Sequence, residues 1–152
     1  MRGPAAPPEV LPGMSSRSGT SSHTADLGLW VEADSAPELF SAAAVALATL
    51  MYAGPRDGRL TWQPFQAQGL DRAELLVQLL AEVVYQSDAE GLLLAAAEIG
   101  SLSETSLEAR LGFVPLQPSL HEPAEPVKAV TYHEAQVSRS GSGWKAHVIL
   151  DV

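Results

Sequence analysis

Two short polar clusters in this chain carry the residue types that could do chemistry. One is His23-Thr24-Ala25-Asp26, at the head of a strand-like run. The other is Lys128-Ala129-Val130-Thr131-Tyr132-His133 together with Asp151-Val152. Asp26 and Asp151, with the carboxylate of Val152 nearby, would form an all-oxygen site, and hard cations such as Ca²⁺ and Mg²⁺ prefer such ligands. Each residue also has a plainer role open to it. Asp26 fits a turn or helix cap, His23 and His133 fit ordinary core or surface histidines, and Lys128 fits a solvated side chain.

Independent catalysis finds little support. There is no Walker-type glycine loop with its Lys, no HExxH, no GxSxG elbow and no cysteine. The serines lie mostly in turns and in the N-terminal segment. A metal-assisted hydrolase is the one enzymatic reading that the two aspartates leave open.

The elements that must position these residues start with a C-terminal hairpin. Val127–Ser138 and Trp144–Val152 read as strands flanking the turn Arg139-Ser140-Gly141-Ser142-Gly143. A five-residue turn pairs Ser138 with Trp144, which places Asp151 opposite Thr131 and His133 opposite Ile149. Paired side chains share a face. Thr131, His133 and Asp151 are then expected to cluster, with Lys128 on the other face beside Val130 and Tyr132.

Upstream, Leu27, Leu29 and Val31 alternate as in a half-buried strand. Ser35-Ala36-Pro37-Glu38 fits a capping box opening a helix that carries Leu39, Phe40, Ala43, Leu47, Leu50 and Met51 and stops at Gly54-Pro55. A strand around Leu60 to Phe65 contains Pro64, which suits an edge. Asp71 caps a second helix with Leu75, Leu76, Leu79, Leu80, Val83 and Val84 on one face. Leu92–Ile99 and Ser106–Leu116 read as strands, the first apolar on both faces and so expected to be central. Pro115, Pro118, Pro123 and Pro126 mark a loop. The expected fold is α+β, two helices packed on a mostly antiparallel sheet of five or six strands.

Residues 1–22 read as a disordered tail, since twelve of them are Gly, Pro or Ser. Residues 23–152 read as a single domain, a size that buries a real core. No stretch approaches the roughly 18 apolar residues of a spanning helix. No secretory signal is visible, so the expected location is the cytoplasm. Nine basic residues face eighteen acidic ones, for a net charge of −9. Scattered as they are, these basic residues argue against direct grip on nucleic acid.

Taken together, three segments are similar to the archease family. They are His23-Thr24-Ala25-Asp26-Leu27-Gly28-Leu29, Val127-Lys128-Ala129-Val130-Thr131-Tyr132-His133, and Trp144-Lys145-Ala146-His147-Val148-Ile149-Leu150-Asp151-Val152. The resemblance covers about residues 23–152. It implies an archease-like fold and a non-catalytic accessory protein of the GTP-dependent tRNA-splicing RNA ligase, promoting ligase guanylylation and multiple turnover. RNA would be met only through that ligase. It further implies a divalent cation, Ca²⁺ before Mg²⁺, held by Asp26, Asp151 and the main chain or carboxylate of Val152. Lys128 would act in partner activation, with His23, Thr131 and His133 supporting. The alternative role implied by the resemblance is a chaperone-like modulator of RNA-modifying enzymes such as methyltransferases. Three departures stand beside the match. Ser18 to Ser22 are small and polar where a hydrophobic strand and an acidic residue are expected, so the first strand should be short or lost. Arg110-Leu111-Gly112-Phe113 lacks an expected Gly-Glu. The Pro-rich loop around His121 keeps only part of the family pattern.

Overall fold

The computed structural model describes residues 16–22 and 26–152. Its two helices form where local chemistry asks for them. Helix α1 (Ala36–Met51) starts at Ser35, whose Oγ accepts from the Glu38 N–H at 3.2 Å and donates to the Glu38 carboxylate at 3.1 Å. Helix α2 (Arg72–Ala89) starts at Asp71, whose Oδ1 accepts from the Glu74 N–H at 2.8 Å. Each cap satisfies a donor with no partner inside the helix, a gain of about 1 kcal/mol. α1 ends one turn before Gly54-Pro55. Tyr52 is already extended there, and Gly54 has φ +121°.

Among the described residues, three antiparallel sheets pack with these helices. The largest has the order β1 (Ser16–Ser22), β2 (Asp26–Ala33), β9 (Gly143–Asp151), β8 (Ala129–Ser140). A second has the order β4 (Thr61–Gln68), β6 (Ser106–Pro115), β5 (Leu92–Leu102). The third is a two-residue clip of β3 (Tyr52–Ala53) with β7 (Glu122–Pro123). The α+β class is as expected, but the strands divide among separate sheets.

Residues 16–22 correct the boundary drawn at His23. Polar as they are, they form β1, paired with β2 from Ser16↔Ala33 to Ser22↔Leu27. Backbone hydrogen bonds carry this ladder, so the missing apolar side chains do not prevent it; a polar edge also resists edge-to-edge association. The rest of the expected tail, residues 1–15, lies outside the described residues. A second correction concerns β5. It is an edge strand and β6 is the central one. Much of the β5 apolar run is alanine, and only Leu93 and Leu94 in it are buried. Its two-sided apolar look reflects contact with α1, where the Ser41 hydroxyl donates to the Ala97 carbonyl at 2.7 Å. Pro64 does sit on an edge strand, β4.

Leu39, Phe40 and Leu47 of α1 and Leu75, Leu76, Leu79 and Leu80 of α2 meet Leu29, Val31, Phe113, Val148 and Leu150 in one core. In β2 and β9 the residues facing this core are Leu29, Val31 and Ala33, and Ala146, Val148 and Leu150. The alternate positions of the same strands therefore point away from the helices. They include Asp26 and Asp151.

Candidate metal centre at the end of the four-stranded sheet

Asp26 opens β2, Asp151 closes β9, and the two are direct partners in the β2–β9 ladder. Directly paired side chains share a face, with Cβ atoms about 4.5–5.5 Å apart. The next positions on this face are Gly28 opposite Ile149, Trp30 opposite His147, and Glu32 opposite Lys145. Glu32 can draw on Lys145 across the ladder, and it also meets Arg17 at 3.9 Å. Asp26 and Asp151 face each other with like charge. At about 5 Å in water two such charges repel by about 1 kcal/mol, and more where solvent is excluded.

On the other side of β9 the pairing differs from the expected register. Ala129, rather than Thr131, lies opposite Asp151, and Thr131 lies opposite Ile149. Two local features cause the shift. The turn contains two residues, Gly141 and Ser142, closed by Ser140↔Gly143, and Gly141 takes φ +60°. Such tight turns match strand twist and favour glycine at positive φ. A bulge then intervenes between Thr131 and Gln136, with Glu134 at φ +61°. Thr131 stays on the Asp151 face, two residues along from Ala129. His133 leaves the ladder: its N–H donates to Thr131 Oγ1 at 3.1 Å, and its exposed ring lies 3.5 Å from the Glu134 carboxylate. The expected grouping of Thr131, His133 and Asp151 is not formed.

Lys128 is tied to the site by its backbone. Its N–H donates to the Asp151 carbonyl at 2.7 Å, while its side chain is exposed. Val152 follows Asp151 and is half-buried. His23 and Thr24 lie outside the described residues. Among the described residues no three His, Cys, Asp or Glu side chains cluster as a metal site. The acidic donor set is the Asp26–Asp151 pair. Two opposed carboxylates suit a hard cation, whose remaining positions would fall to main-chain oxygens or water.

Asp71 is a residue whose second role sequence reasoning missed. Besides capping α2, its Oδ2 accepts from the Tyr132 hydroxyl at 2.7 Å, which fixes the bulge to the helix. That hydrogen bond, before burial and the nearby carboxylates, raises the Tyr132 pKa above its ordinary value. The contact spans 61 residues of sequence, so no local signal announces it.

The Archease protein family model matches residues 20–152. The protein archease of Pyrococcus abyssi is 32% identical over 135 residues, covering 86% of this chain and 94% of that protein. The protein archease of Methanopyrus kandleri is 31% identical over 133 residues, covering 86% and 95%. Among solved structures, protein 1598 of Methanobacterium thermoautotrophicum superposes with a TM-score of 0.66 at 24% identity, covering 89% of this chain and 98% of that one. A Thermotoga maritima protein described as an archease, possible chaperone, superposes at 0.60 and 18% identity, covering 86% and 93%. These two likenesses bear on the fold. The α+β architecture and the match over most of the chain lead to one conclusion: the chain belongs to the archease family.

Proposed function

We propose that this protein holds a divalent cation, calcium before magnesium, between Asp26 and Asp151 and activates a GTP-dependent RNA ligase without catalysing ligation itself. The observation that carries the cation reading is the direct pairing of Asp26 with Asp151. Like charges directly opposite each other in a ladder are destabilising, and a cation between them turns repulsion into attraction. The ligase reading rests on membership of the archease family.

In this reading a main-chain oxygen of Val152 completes the protein's ligand set, and Thr131 supports it from the same face. His23 and His133 are assigned supporting roles, His133 from the bulge. When bound, the ion supplies positive charge at an otherwise acidic edge. Lys128 takes the partner-contacting role, since its amide anchors on Asp151 while its ammonium projects into solvent. Ligand and partner contact are thus joined through one backbone bond.

A ligase guanylylation assay with GTP, run with the wild-type protein, Asp26→Asn and Lys128→Ala, tests this. Stimulation that needs calcium, Asp26 and Lys128 supports it. Equal stimulation by all three proteins, or none by the wild type, contradicts it. A chaperone-like modulator is the second reading, favoured by Leu70 at 83% exposure and Leu120 at 50%. It predicts partner binding that survives Asp26→Ala and Asp151→Ala.

A further inference from the structure

His121 is the one titratable side chain buried among the described residues, at 3% exposure. It lies in the strap 116–128 that leads from β6 to β8. Both ring nitrogens are engaged by backbone groups. The Gln117 N–H donates to Nδ1 at 3.0 Å, and Nε2 lies 2.7 Å from the Pro55 carbonyl oxygen. An amide N–H can only donate and a carbonyl can only accept. The proton therefore sits on Nε2, and Nδ1 must be bare. An imidazolium would turn a second N–H toward the Gln117 N–H, exchanging a hydrogen bond for a repulsion.

The strap that this ring holds ends at the candidate metal centre. Beyond His121, the Ala124 and Glu125 amides donate to the Met51 and Leu50 carbonyls at 2.9 and 3.1 Å, satisfying acceptors left open at the end of α1. Glu122 and Pro123 pair with Ala53 and Tyr52. The Lys128 amide then joins the Asp151 carbonyl. His121 is the one strap side chain with a hydrogen bond to another segment among the described residues. Gly54 lies beneath it, and a Cβ there would overlap the Leu120 carbonyl oxygen.

The charged residues on the enclosing segments are Arg56, Asp57 and Arg59 after α1 and Glu122, Glu125 and Lys128 in the strap. Tyr52 of β3 is the remaining titratable neighbour. Arg56 is pinned by hydrogen bonds to the Gly54, Ala48 and Tyr52 carbonyls, so a fixed cation adjoins Pro55 and opposes a second positive charge. Glu122 and Glu125 are exposed, where solvent weakens their pull.

We infer that His121 is a positioning residue: its neutral ring latches the strap and so fixes Lys128 and the Asp151 backbone, and its protonation releases them. The consequence for activation rests on the function proposed above; the latch itself does not. Histidine is the side chain that ordinarily changes charge between about pH 5 and pH 8. Protonation works against the closed strap, because it exchanges the hydrogen bond from the Gln117 N–H for a repulsion.

Amide hydrogen exchange on the full chain at about pH 7.5 and about pH 5.5 reads the latch. Protection at Ala124, Glu125 and Lys128 should fall several-fold on acidification, while Val148 in β9 stays protected. His121→Gln keeps a donor for Pro55 and does not titrate, so its strap amides should be indifferent to pH. Ligase stimulation by the wild type should drop several-fold relative to His121→Gln at the lower pH. Strap protection that does not change with pH, loss shared equally with Val148, or the same loss in His121→Gln overturns the inference. Should the wild type fail to stimulate the ligase at either pH while its strap amides respond as described, the proposed function falls and the latch stands.

Discussion

Asp151→Asn changes one charge and almost no volume, so it isolates the electrostatics of the Asp26–Asp151 pair. Without divalent cations the wild type holds two like charges directly opposite each other on one face. Asp151 is exposed, which keeps that repulsion at or below about 1 kcal/mol. Removing it should raise thermal stability slightly, by roughly 2–4 °C for a domain of this size. Calcium reverses the order. A ligand at about 100 times its Kd stabilises the form that binds it by about 2.7 kcal/mol, or roughly 6–10 °C. The wild type should gain that shift, and Asp151→Asn should gain little. The two melting curves therefore exchange rank when calcium is added, and differential scanning calorimetry with chelator and with calcium measures this. A variant less stable than wild type under chelator, or an equal calcium shift in both proteins, would refute the reasoning.

Further outcomes follow from the same geometry. Gly54→Ala should destabilise by more than about 2 kcal/mol in chemical denaturation, because φ +121° and the Leu120 carbonyl leave no room for a Cβ. Glu134→Gly should stabilise by about 1 kcal/mol by relieving a positive φ at a non-glycine residue. Asp71→Asn should bring the Tyr132 titration back toward the ordinary phenol value, seen as the ultraviolet difference from Tyr132→Phe. The sign is that of a group favoured in its neutral form: the Tyr132–Asp71 bond is present at neutral pH and is lost as pH rises through the raised pKa.

How much of this was legible in the sequence depends on how local the causes are. Both helix starts were, because a cap joins residues three apart: Ser35 to Glu38, and Asp71 to Glu74. The hairpin was visible as two alternating runs around a Gly/Ser turn, but its register was not. That register depends on a two-residue turn and on a bulge at residues 132–135, and the bulge is fixed by Tyr132 reaching Asp71 in another element. β1 was hidden because its order comes from the ladder with β2 and leaves no apolar pattern in Ser16–Ser22. β5 misled because its alanines look central by hydropathy while burying little. The two aspartates were each legible as strand-end residues. Their direct pairing depends on where β2 meets β9, a long-range outcome that no window of sequence contains.

The most direct measurement is a crystal structure of the protein with calcium, using anomalous scattering to locate the ion. One ion should appear, with oxygen distances of about 2.3–2.6 Å to both Asp26 and Asp151. An ion bound elsewhere, or held by only one of the two carboxylates, would contradict it.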